Sequence, residues 1–248
     1  MLLDRISDLI DRRESHLPVI LNNLSDPAKD RTGTATASVA GTKRFLSAAY
    51  FVRDRSADRF RQLMNEASSL RISLVDRFQA GEAISESYVS VTPLLEVMLG
   101  SLAANDLQMA AAAASVVGKY PSIEQAYDRR EIISVGHCLA ELILNPGQTN
   151  EELWSRLEKH TAGKVGESEM SSLLKAIQHF STSEFEAALT SFLSCYKRLT
   201  TKGRWKDSEH ELVPLWGLGL CNLAIHRGLR ISPPAIIPAE LLAPAVAP

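Results

Sequence analysis

SSLLKAIQHFSTSEFEAALTSFLSCYKRL, residues 171–199, decides the fold class of this chain. Leu173, Ile177 and Phe180 recur on one helical face, and Phe185, Leu189, Phe192, Tyr196 and Leu199 on the next, in steps of three and four. Ser181, Thr182 and Ser183 supply hydroxyls able to cap the second helix, and Glu184 and Glu186 place carboxylates near the positive end of its dipole. Lys197, Arg198 and Lys202 lie near its last carbonyls, with Gly203 available for a left-handed exit. The stretch predicts a helical hairpin.

The following segment, LVPLWGLGLCNLAIHRGL (212–229), has almost no polar face and reads as a helix buried on most sides. Pro214 fits only its first turn, which starts the helix near Val213. Gly217 and Gly219 weaken the helix and predict the close approach of a neighbour. His226, Arg227 and Gly228, then Pro233, Pro234 and Pro238, end it.

Upstream, Leu3, Ile6, Leu9 and Ile10 predict an amphipathic first helix, bent or ended near Pro18. Residues 25–42 read as a connector with Pro27, Gly33 and Gly41, and no Gly-Lys-Ser/Thr follows to make a phosphate loop. From Lys43 to Ala80 charges of both signs alternate along one continuous, solvated helix. Residues 82–100 and 107–119 form a pair, in which Ala110 to Ala114 present a thin wall to thicker neighbours. A further helix starts at Ser122 or Asp128 and ends at Asn145-Pro146-Gly147, and two short helices cover 151–160 and 168–180. No segment alternates with period two, so the expectation is an all-α, irregular array of about 8–11 helices in antiparallel pairs, solenoid-like in part. It forms a single domain over 1–242, with 1–80 a candidate subdomain beside the main body 81–242, and a disordered tail over 243–248.

The chain of 248 residues has 45% apolar and 23% charged residues, the composition of a globular protein. With 27 basic and 29 acidic residues the net charge is −2, so no global field draws nucleic acid or an anionic membrane. Cys138, Cys195 and Cys221 are an odd set within apolar helical patterns, which argues against a disulfide framework and for a reducing cytoplasm. No export signal or membrane span is visible.

Chemical motifs fail at identifiable positions. His210-Glu211-Leu212-Val213-Pro214 has a proline where a zinc helix needs its second histidine. His137 and Cys138 are adjacent and diverge by about 100° on a helix. Gly217-Leu218-Gly219 lacks a strand before it and a third glycine. Lys197, Arg198, Lys202, Arg204 and Lys206 surround Trp205, the one place where cation and aromatic could meet a nucleic acid. The expectation is no catalytic residue, cofactor or metal.

The small-plus-acidic turn Ala103 to Leu107, the 171–199 hairpin, the apolar 212–229 helix and the closing IIPAELL (236–242) together resemble the immunity protein 49 family of bacterial polymorphic toxin systems. The resemblance covers the C-terminal three-fifths. It implies a non-enzymatic cytoplasmic protein that binds a cognate toxin and occludes its active site or substrate path. No catalytic residues accompany the family. Because many toxins acting on nucleic acid are basic, the acidic surface Glu151, Glu152, Glu158, Glu167 and Glu169 is the expected toxin-binding site. The alternative reading is a helical-repeat adaptor that holds a peptide in a concave groove.

Overall fold

A computed structural model describes residues 3–148 and 150–244. Among them are eleven α-helices and no strand: α1 Ile6–Leu24, α2 Thr34–Asp54, α3 Ala57–Gln79, α4 Val91–Ala103, α5 Leu107–Ala114, α6 Pro121–Tyr127, α7 Arg130–Leu144, α8 Glu151–Thr161, α9 Glu167–Gln178, α10 Thr182–Lys202 and α11 Leu215–His226. The chain is a single all-helical domain, as the sequence predicts.

The N-terminal third departs most from expectation. Helix α1 continues through Pro18, which faces solvent, so the carbonyl left without an N–H partner can be hydrated. Ile10 is the buried anchor of α1, packed on Phe45, Leu46, Ala49 and Tyr50. The connector is shorter than 25–42, because α2 already starts at Thr34 behind Gly33, whose φ is 82°. A Cβ on Gly33 would meet Leu74 at 2.5 Å. Asp30 caps this helix from outside it, accepting from the Thr36 N–H at 3.0 Å and the Thr36 hydroxyl at 2.5 Å while pairing with Arg77 at 2.6 Å. Burial raises the Asp30 pKa, and these donors more than reverse that.

The charged stretch 43–80 is two helices, not one. Arg55 takes a left-handed φ of 55°, and the Ser56 hydroxyl accepts from the Arg59 N–H at 3.3 Å, which ends α2 and starts α3. The two pack as a hairpin, and Phe51, Phe60, Met64 and Val75 join the main core, so 1–80 shares its interior with the rest of the chain. Similarly, the expected helix from Ser122 or Asp128 divides into α6 and α7. Asp128 lies between them and caps α4, accepting from the Val91 N–H at 2.7 Å and the Thr92 N–H at 3.1 Å.

Consecutive helices form the pairs α4/α5, α7/α8 and α9/α10, whereas α11 leaves its neighbours in sequence and packs on α4. Every residue of α11 from Leu215 to Ile225 is buried. A Cβ on Gly219 would sit 2.5 Å from the Leu99 carbonyl oxygen, the predicted close approach. Pro214 stands one position before the helix rather than within its first turn. Asn222, fully buried, donates to the carbonyls of Leu102 at 2.9 Å and Leu241 at 3.1 Å and accepts from the Ala243 N–H at 2.8 Å. Order therefore extends to Ala243 within the expected tail, of which 245–248 lie outside the described residues. Two hairpin details also differ. Ser181 takes the N-cap position without a side-chain cap bond, and Gly203 is extended, needed because a Cβ there would lie 2.8 Å from the Leu199 Cα.

Gly219→Ala is expected to destabilise the fold by about 1–3 kcal/mol, because its methyl group meets backbone that cannot step aside. Gly41→Ala, where a Cβ meets nothing within 4 Å, should be neutral or stabilising by up to about 1 kcal/mol. Urea unfolding of the two variants checks the contrast.

Candidate functional site

His210, from the failed zinc motif, is the centre of a buried polar hub. Its ring stacks on Trp205 with centroids 4.8 Å apart and planes 18° apart, and its Nε2 lies 3.1 Å from Arg44 Nη2. The Tyr196 hydroxyl, 3.0 Å from His210 Nδ1, has the carbonyls of His210 at 2.8 Å and Val213 at 3.1 Å as acceptors. Arg44 pairs with Glu96 and with Glu209, the latter at 2.8 Å. The hub thus joins α2, α4, α10 and the 3-10 turn Glu209–Glu211. Burial pushes the Glu96 carboxyl up, but Arg44 and His210 hold it far below the usual carboxylate range. Burial works against the charge of Arg44, and Glu96 and Glu209 more than restore it. Burial also raises the Tyr196 hydroxyl well above its ordinary value.

A cleft of about 340 Å³ opens beside the hub, lined by Met64, Arg71, Tyr88 and Pro93 as well as Arg44, Glu96 and Glu209. Both carboxylates in it are committed to Arg44. Trp205 is 6% exposed, so its ring is not offered to a base from the surrounding basic residues. Among the described residues no three His, Cys, Asp or Glu side chains are grouped to hold a metal ion. His137 and Cys138 part company as expected: His137 bonds Glu124 at 2.8 Å, while the buried Cys138 thiol points to the Leu153 carbonyl at 3.8 Å. Burial, aided by Glu141, pushes that thiol up to about 12.

The five acidic residues expected to form one surface separate. Glu167 is 3% exposed and pairs with Arg129 at 3.0 Å and Arg204 at 2.6 Å, so it is a buried carboxylate covered by two arginines and not part of an acidic face. Glu169 turns back to accept from the Gly166 N–H at 2.8 Å, capping α9. Glu158 is exposed but paired with Lys175. Glu151 and Glu152 remain exposed, in the first turn of α8.

These two lie where four helix ends converge. The Gln178 side chain at the end of α9 donates to the Gln148 carbonyl at 3.1 Å, and the Asn150 N–H donates to Glu141 of α7 at 2.9 Å. Asn150 Oδ1 accepts from the Leu153 N–H at 3.2 Å and starts α8. Arg227, just beyond α11, donates to the Leu142 carbonyl at 3.2 Å and lies 5.1 Å over the ring of Phe180. Phe180 is 55% exposed and Leu144 41%. Phe180 also has a φ of 53°, at a helix-terminating position where glycine is usual. Arg227 Nη2 is buried without a hydrogen bond, and burial lowers the Arg227 pKa. The spacing of Phe180 continues the apolar face of α9 and so predicts burial, from which the exposed ring departs. Its position next to a helix-ending Ser-Thr-Ser was the available signal.

No protein-family model matches the chain, and neither a curated protein nor a solved structure does.

Arg44→Met would leave Glu96 and Glu209 without their cation and is expected to cost about 3–5 kcal/mol at pH 7. The depressed Glu96 pKa means its stabilisation is complete above the unfolded carboxyl's pKa of about 4.3 and is lost as pH falls below it toward the folded value. The difference in denaturant stability between wild type and variant should accordingly be smaller at pH 3 than at pH 7.

Proposed function

We propose that this protein acts by binding, as an immunity protein that neutralises a toxin in the cytoplasm by covering its active site or substrate path. The observation that carries the reading is the convergent end of the bundle: an exposed Phe180 under Arg227, an exposed Leu144 at the end of α7, and Glu151 and Glu152 in the first turn of α8. Aromatic residues, phenylalanine included, and arginine are enriched at protein interfaces. The acidic edge favours a basic partner through steering and charge complementarity.

The left-handed backbone at Phe180 supports the same reading. A bulky residue held there costs about 1–2 kcal/mol relative to an unstrained position, and the exposed ring recovers little by burial within this chain. A partner that covers the ring would supply the missing burial. The three buried free thiols suit a reducing compartment.

The test is co-expression with a toxic domain encoded beside this gene, together with direct binding of the two purified proteins. Wild type should rescue growth and bind. Phe180→Gly should leave the unfolding midpoint unchanged or raised, because glycine accepts the left-handed φ, yet weaken toxin affinity by at least tenfold. Glu151→Lys with Glu152→Lys should slow association most strongly at low salt. Absence of both rescue and binding for the wild type would remove the toxin reading, and unchanged affinity in both variants would remove this face.

A further inference from the structure

A second site lies in a groove between α7 and α8, closed by the end of α6. Arg130, Ile133, Ser134 and His137 of α7 are spaced three, four and seven apart and so share one face; Leu153, Arg156 and His160 of α8 share the facing one. Gln125 and Asp128 complete the lining, and the groove encloses about 540 Å³.

The polar groups here are unevenly matched. Asp128 is occupied by the N–H groups of Val91 and Thr92. Glu124, behind His137, accepts from His137 Nε2 at 2.8 Å and from the Gly118 N–H at 2.7 Å. Ser134, 5% exposed, lies 2.8 Å from His160 Nδ1. With Ser134 donating to Nδ1, the Nε2 of His160 carries the proton and is a donor. Arg130 and Arg156, by contrast, have no ion pair or hydrogen bond among the described residues. Two guanidinium forks without carboxylate partners therefore line one groove with the His160 imidazole as a further donor and an apolar floor of Ile133 and Leu153.

We propose that this groove binds a phosphate monoester, with Arg130 and Arg156 on the phosphate oxygens, His160 as a further donor, and the organic part against Ile133 and Leu153. Two arginines outweigh the one carboxylate of the lining, Asp128, which is turned to the backbone of α4, and their planar forks match the geometry of a phosphate's oxygens. A carboxylate would answer only one of the two charges. The volume exceeds what inorganic phosphate fills and falls within the range of small-molecule pockets, which leaves room for an organic body. The site is separate from the Phe180 face, so it stands or falls independently of the toxin reading.

Calorimetric titration of the intact chain with phenyl phosphate, inorganic phosphate and phenol tests this. Phenyl phosphate should bind at one site and more tightly than inorganic phosphate, and phenol should not bind. Arg130→Gln and Arg156→Gln, both at exposed positions, should each weaken phenyl phosphate about tenfold or more without changing the unfolding midpoint. The His160 ring resonances should shift on addition of phenyl phosphate in the wild type and not in the double variant. No saturable binding of phenyl phosphate, or binding undiminished in the double variant, would overturn the proposal. Equal affinity for inorganic phosphate would overturn the organic part of it.

Discussion

Arg44 must keep its charge inside the protein, and much of the architecture satisfies that requirement. Its side chain is 14% exposed and meets Glu96 of α4 and Glu209 of the turn before α11. Burying a guanidinium between two carboxylates repays its desolvation only when geometry and remaining hydrogen bonds are good. Here His210 and Tyr196 complete the arrangement, and Trp205 and Trp216 pack against its inner side, while the cleft borders the other. The hub fixes how the N-terminal hairpin sits on the C-terminal half, since apolar contacts alone are compatible with several helix registers.

The second constraint is backbone proximity between α4 and α11. Gly219 against the Leu99 carbonyl sets their separation, and Asn222 fixes their register by bonding the carbonyls at the end of α4 and the 241–243 segment. A single buried amide with its nitrogen and its oxygen both engaged is a strong specifier in an otherwise apolar helix.

Helical periodicity made the C-terminal half legible, because Phe185, Leu189 and Phe192 have no other good explanation, and Gly219 announced its own packing role. The N-terminal third was less legible for a physical reason. Its breaks depend on a left-handed Arg55 and on Asp30, which caps from outside its helix, and neither has a local sequence signature. The same holds for the binding surface. Sequence charge suggested one acidic face, but tertiary placement buries Glu167 against two arginines and turns Glu169 into a cap. What made Phe180 conspicuous is its exposure, which periodicity cannot report. The α7/α8 groove joins residues whose spacing within each helix is readable, although the pairing of the two faces is not.

The Arg44–Glu209 pair also imposes an order of events during synthesis. The two residues are 165 positions apart in the chain (209 − 44), so on a ribosome adding about 5–20 residues per second the arginine waits on the order of ten to thirty seconds for its partner. Glu96 of α4 comes earlier, 52 positions after Arg44 (96 − 44), so a first carboxylate can reach the guanidinium while the C-terminal half is still being made. Only Glu209 brings the second, and with it the turn that carries His210. The hub is therefore assembled in two stages, and the second cannot precede synthesis of the C-terminal segment.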